Sequence, residues 1–274
     1  MTSTRRVVVT DLDGCLLDAT TYRWEAARPS LDALRQRGIP LVLCSSKTRA
    51  EMAPLHAELG LDAPYIFENG GGIVIPPGAP WSRLVRRGAG PLLVRLGVPL
   101  RDLALALVEI ARDAGARLRG FSRLSAREVS DLTGLSEAKA ALAQKREHGE
   151  PFVLEAGDEQ ALRRAAERRG LRITRGGRFH HLTGPHDKGK AVRQVLALLA
   201  PESSIGLGDA ENDLGLLRAV DLPILVPRPD GCVDAALAQA FPQAQRAPLP
   251  GPEGWNQAVL RVLGASSAGG ASAA

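Results

Sequence analysis

The chain has only three cysteines, Cys15, Cys44 and Cys232, an odd number without metal-type spacing. Neither a disulfide framework nor a zinc site is indicated, and a reducing cytoplasm is the simpler setting. Aromatic residues make up 4% of the 274 residues, and lysine occurs only at positions 47, 139, 145, 188 and 190, so arginine carries most of the positive charge. Asp and Glu lie between the arginines, and no basic stripe with interleaved aromatics forms to follow a nucleic-acid backbone. No apolar stretch approaches the roughly 18 residues that span a bilayer. The run at 7–9 is too short for a signal segment and meets Asp11 at once. Nucleic acid and membrane are therefore set aside as partners, no internal repeat is visible, and a monomer or homodimer is expected.

The composition is that of a packed globular protein: 45% hydrophobic and 24% charged, with 29 Gly and 19 Pro. The length accommodates two modules. A net charge of +5 suits anionic small substrates, and an arginine-rich surface with few Asn fits a high growth temperature.

The β-branched run at 7–10 shows no polar alternation and reads as a central parallel strand ending at Asp11. A helix over 30–37 stops at Gly38, and a strand at 39–44 ends at Ser45 and Ser46. A further helix closes at Gly60, and a third strand at 65–67 ends in Glu68, Asn69 and Gly70. Repeated β-α-β implies a parallel sheet. From about residue 87 strands and helices mix without that signature: strands at 92–96, 117–121 and 152–155, helices at 100–114, 126–132, 137–145 and 159–169, and one or two strands over 172–182 with a Gly176-Gly177 turn. The first pattern resumes with a helix at 188–199 and strands at 204–208 and 222–226. The fold class expected is α/β, a Rossmann-like parallel-sheet core over 1–86 and 184–263 with an inserted α+β cap over 87–183. The tail from 264 to 274 is expected to be flexible, because it is only Gly, Ala and Ser.

Ligands of open parallel sheets bind beyond the carboxyl ends of the strands. Here those ends carry Asp11, Ser45, Asn69 and Asp209. In Asp11-Leu12-Asp13-Gly14 two carboxylates would repel unless a cation intervenes. Mg²⁺ prefers oxygen ligands, and Asp11, Asp209 and the main-chain carbonyl of Asp13 can supply three. An isolated Asp-x-Asp is equally a capped loop, but Gly208-Asp209-Ala210-Glu211-Asn212-Asp213 follows a strand and opens a helix. A helix cap accounts for Asp213 and not for the whole run. Lys188 starts the preceding helix, where a lysine is ordinarily a solvated charge but can also clamp a phosphate.

These motifs, in this order, resemble those of the haloacid dehalogenase superfamily of phosphatases. The resemblance implies Asp11 as nucleophile, Asp13 as general acid and base, Ser45 and Lys188 as phosphate ligands, and Asp11, Asp13 and Asp209 as Mg²⁺ ligands, with Asn212 and Asp213 behind them. It also implies a cap that closes over a phosphorylated sugar. Ser45-Ser46-Lys47-Thr48, Phe67-Glu68-Asn69-Gly70 and Arg146-Glu147-His148-Gly149-Glu150-Pro151 look like those of the mannosyl-3-phosphoglycerate phosphatases, a family of compatible-solute synthesis. Ser45-Ser46-Lys47 stands where the wider superfamily has Thr-Gly-Arg. The substrate-binding set that follows is Ser46, Lys47, Asn69, Gly70, Arg146, Glu150 and Arg178, with Arg146 or Arg178 offering a guanidinium fork to the glycerate carboxylate and Glu150 accepting from sugar hydroxyls. His180 and His181 fall on alternating faces of a strand, so at most one reaches a site. Cys15 and Cys44 read as small buried hydrophobes. The competing readings are another sugar-phosphate phosphatase, a phosphomutase and a phospho-acceptor module.

Overall fold

The structure is a computed structural model that describes residues 6–77, 90–176 and 179–268. The core sheet takes β1 (Arg6–Thr10) and β2 (Leu41–Leu43) from the first part of the chain and β10 (Ser203–Gly208), β11 (Leu222–Leu225) and β12 (Gln245–Arg246) from the last. All pairings are parallel, in the order β12-β11-β10-β1-β2. Val7, Val8 and Val9 are fully buried because both faces of β1 are covered. Val8 packs with Leu31 and Leu34 of α1 (Arg28–Gln36), Met52 of α2 (Arg49–Glu58) and Trp255. Val7 and Val9 pack on the other face with Ala191, Val192 and Val195 of α7 (Lys188–Leu199), Leu216 of α8 (Leu214–Leu217) and Leu237 of α9 (Ala235–Ala240).

The third strand departs from expectation. β3 (Tyr65–Phe67) touches the core sheet through a single parallel bridge, Cys44 to Ile66, and pairs antiparallel with β4 (Gly72–Ile75), which itself pairs with β5 (Leu92–Arg95). A 3-10 turn at Glu68–Gly70 reverses the chain, so no crossover helix is needed. β5 was expected in the cap, but Leu92, Val94 and Leu96 pack against a core cluster.

The cap sheet is antiparallel, β6 (Arg117–Gly120), β7 (Gly149–Ala156), β9 (Phe179–Thr183) and β8 (Arg172–Gly176) in that order. α3 (Leu100–Asp113) and α6 (Glu159–Glu167) cover one face through Leu103, Leu107, Ile110 and Leu162. The hairpin of α4 (Ala126–Thr133) and α5 (Glu137–Ala143) covers Val153 and Phe179 on the other. The last helix, α10 (Gly251–Ala268), runs past the expected boundary at 264, since Ala and Ser cost little once a helix has started. Residues 269–274 of the expected tail lie outside the described residues. No described helix is long and apolar enough to cross a membrane.

Candidate active site

β1 delivers Asp11 and β10 delivers Asp209 to the same edge, because their parallel register sets Thr10 beside Leu207. The Asp11 N–H donates to the Leu207 carbonyl at 3.0 Å. The chain then turns sharply: Gly14 has φ +80°, and a Cβ there would lie 2.6 Å from Asp209 Oδ2. Gly14 is thus the residue that lets the second acidic loop close against the first.

Carboxylate oxygens of Asp11, Asp209 and Asp213 lie within 4.8 Å of one another. Lys188 Nζ donates to Asp11 Oδ1 at 2.5 Å and to Asp213 Oδ1 at 2.6 Å, and its side chain is 1% exposed. Asp213 Oδ2 accepts the N–H groups of Asp209 and Ala210. Asp213 therefore has both oxygens engaged, one with the lysine and one with the loop. Asp209 Oδ1 is buried without a hydrogen-bond partner.

Three carboxylates against one ammonium leave the cluster short of positive charge. Burial, with the neighbouring Asp213 charge added, raises Asp11 well above the usual carboxylate range despite Lys188, and the same causes push Asp209 up to about 7. Burial disfavours the Lys188 ammonium, yet Asp11 and Asp213 more than offset this and hold its pKa well above the usual value. A hard divalent cation fits: the open oxygen of Asp209 faces an all-oxygen donor set with an unmet charge. Burial pushes the Cys15 and Cys44 thiols up, so both stay protonated and serve as packing, as expected.

Asp13 is not part of this cluster. Its carboxylate is tied to Lys47 Nζ at 2.9 Å and is partly open to solvent. The Ser45 main chain is pinned to β3 through Ile66 and Asn69, and its Oγ accepts the Lys47 N–H. Asn69, in the left-handed region at φ 54°, accepts from Asn212 Nδ2 at 3.4 Å, which joins the end of the third strand to the acidic loop. Gly70 has φ +94°, and a Cβ there would run into the Asp187 carbonyl that precedes Lys188.

From the cap, Arg146 reaches the core: Nη2 donates to the Ser46 carbonyl at 3.2 Å, and the side chain is 12% exposed. Lys47 and Lys139 both lie over the Tyr22 ring, and Thr48 Oγ1 donates to the Leu142 carbonyl. The α5 side of the cap therefore meets the core beside the Ser45–Lys47 turn. Glu150 is placed differently from its expected role. In register with Leu182, it faces α3, accepts from the Ser122 N–H and borders a cavity of about 540 Å³ whose lining residues all lie between 104 and 155. His180 is taken up by Glu159 at 3.1 Å and by stacking on Phe152. His181 lies on the other face, where burial and the charges of Arg146 and His180 lower it to about 4. Arg178 lies outside the described residues.

Sequence reasoning placed Glu68 in a motif but gave it no role of its own, and it did not single out Tyr22 and Trp255. Trp255 Nε1 donates to Thr10 Oγ1 at 2.9 Å, immediately behind Asp11. Of the three, only Glu68 offered a signal, as an acid directly after the apolar strand Tyr65–Phe67.

Comparison with known proteins follows the same lines. A family model described as haloacid dehalogenase-like hydrolase matches residues 8–79. The glucosyl-3-phosphoglycerate/mannosyl-3-phosphoglycerate phosphatase of Methanococcoides burtonii is 39% identical over 269 residues, 95% of this chain and 98% of the relative. Its counterpart in Persephonella marina is 36% identical over 266 residues, covering 94% and 97%. A haloacid dehalogenase-like hydrolase of solved structure from Bacteroides thetaiotaomicron superposes with a TM-score of 0.67 at 19% identity, covering 94% of this chain and 99% of that one, which speaks for the fold.

Proposed function

The chain belongs to the haloacid dehalogenase-like hydrolases, in the family of the glucosyl-3-phosphoglycerate/mannosyl-3-phosphoglycerate phosphatases; from that premise we propose that it hydrolyses mannosyl-3-phosphoglycerate, or its glucosyl counterpart, to the glycosylglycerate and phosphate. It is a phosphoric monoester hydrolase. The reading is carried by one observation: Asp11 ends β1 with its carboxylate held by Lys188 beside Asp209.

Asp11 attacks phosphorus and forms an acyl phosphate, which divides one difficult displacement into two easier ones. Asp13, starting in its acid form, gives its proton to the glycerate oxygen as the P–O bond breaks; the carboxylate that results, which Lys47 can hold, then takes a proton from the water that attacks the acyl phosphate. Lys188 and Ser45 hold the phosphate oxygens in place. Asp11, Asp209 and the main-chain carbonyl of Asp13 would hold Mg²⁺, which when bound would supply the charge neutralisation that lets an anionic ester approach an anionic nucleophile. Arg146 receives the glycerate carboxylate as a planar fork of donors, Ser46, Lys47, Asn69 and Gly70 shape the floor beneath it, and the cap excludes water. The setting is the cytoplasm, in the synthesis of a compatible solute; the three unbridged cysteines suit that compartment.

A phosphate-release screen over sugar phosphates and glycosyl-3-phosphoglycerates with Mg²⁺ tests the substrate. The highest kcat/KM belongs to a glycosyl-3-phosphoglycerate; a higher value for a simple hexose phosphate would reject this assignment.

A further inference from the structure

Glu68 belongs to the core, yet its side chain is spent on the cap. It follows β3 directly and is 2% exposed. Oε1 accepts the Glu147 N–H at 2.7 Å, and Oε2 accepts the His148 N–H at 2.9 Å. Arg146 Nε lies 3.7 Å from Oε2, buried and without a hydrogen-bond partner. Three consecutive cap residues, 146 to 148, are thus addressed by one core carboxylate. On the core side the Glu68 N–H donates to the Lys47 carbonyl and the Asn69 N–H to the Ser45 carbonyl, so the same residue is fastened to the turn below Arg146.

The backbone adds to this. Glu68 and Asn69 are consecutive non-glycine residues in the left-handed region, at φ 50° and 54°. That conformation is disfavoured for side chains with a Cβ and persists where the surroundings demand it. Glutamine at 68 would offer one acceptor oxygen where glutamate offers two, and a shorter side chain could not reach both the Glu147 and His148 N–H groups.

We propose that Glu68 is a positioning residue that holds Arg146 over the Ser45–Lys47 turn, and so sets the preference for substrates bearing a carboxylate beside the phosphate. This rests on the phosphatase reading above. Glu68 is too enclosed to touch substrate; it acts through the guanidinium, whose fork suits a carboxylate only when its plane is fixed.

The test uses the full-length protein and two inhibitors that differ by one carboxylate, 3-phosphoglycerate and glycerol 3-phosphate, competing with p-nitrophenyl phosphate hydrolysis. The wild type binds 3-phosphoglycerate more tightly than glycerol 3-phosphate. In Glu68→Gln that advantage falls by about 10- to 100-fold, as for loss of a hydrogen bond to a charged group, while kcat for the aryl phosphate and the affinity for glycerol 3-phosphate are unchanged. Adding Arg146→Ala to Glu68→Gln causes little further loss, since the two act as one unit. Glu68→Asp, which keeps the charge but cannot reach both N–H groups, replaces Glu68→Gln should the latter fail to fold. Equal losses for both inhibitors, an undiminished carboxylate advantage, or additive effects with Arg146→Ala would overturn the proposal. A wild type that prefers 3-phosphoglycerate but leaves glycosyl-3-phosphoglycerates uncleaved defeats the substrate assignment and leaves the role of Glu68 standing.

Discussion

Lys188 is an ammonium group with almost no contact with water, held between Asp11 and Asp213. Removing one partner from such a buried arrangement leaves charge uncompensated, which typically costs about 3–5 kcal/mol. Lys188→Met is therefore expected to lose about that much stability in urea at neutral pH, and at least about 10² in kcat through the missing phosphate donor. Wild-type stability in this variant would show that the lysine is not the counter-charge. The acids give a second expectation. Asp209 titrates at about 7 in the folded protein and near 3.9 when unfolded. Between those values the folded state binds more protons, so stability of the metal-free protein falls as pH rises from about 4 to 7. Bound Mg²⁺ removes that loss, and the rise in Tm caused by Mg²⁺ is larger at pH 7.5 than at pH 5. An equal rise at both values would mean the carboxylates do not gather around the ion.

At the scale of elements, the helix that carries Lys188 is seated by Gly70. Gly70→Ala forces a Cβ into the Asp187 carbonyl at a φ that L residues avoid. The start of α7 must move, and kcat falls at least about tenfold, in line with the cost of a misplaced catalytic group. Wild-type kinetics would show that the loop and the helix adjust independently. α10 does the same for β1. Trp255 is fully buried against it and bonds Thr10, so Trp255→Ala is expected to cost about 3–5 kcal/mol in chemical denaturation. β1 and β10 were legible in the sequence because short apolar runs ended in polar residues, and α7 because apolar positions recur at helical spacing after Lys188. α10 was not: Gly251, Pro252, Gly254 and Gly264 are poor helix formers, although Gly254 is there because the Leu249 carbonyl crosses it. β4 was hidden by glycines on its N-terminal side, whose freedom serves the tight turn after Glu68.

For the whole molecule, 198 positions of sequence separate Asp11 from Asp209 and the parallel sheet reunites them. That convergence was readable, since strand ends share an edge in any parallel sheet. The cap was readable only as an α+β insert. Which face a cap side chain takes depends on register: Glu150 and His180 lie on the face that α3 and α6 cover and His181 on the other, while Arg146, just before β7, reaches the Ser46 carbonyl of the core. Cap and core meet through Arg49 and Glu147, Thr48 and Leu142, and Glu68 with residues 147 and 148. Arg146→Ala is expected to raise KM for a glycosyl-3-phosphoglycerate far more than for an aryl phosphate, by steady-state kinetics; an equal rise for both would make Arg146 a structural tie. All of this depends on phosphoryl transfer through Asp11. Acid quenching during turnover, followed by peptic digestion at acid pH, where the acyl phosphate survives, and mass analysis of the peptide that contains Asp11, tests it directly. The covalent route requires a phosphoryl group on Asp11, absent in an inactive but folded Asp11→Asn; an unmodified peptide during turnover, or activity in that variant, would contradict it.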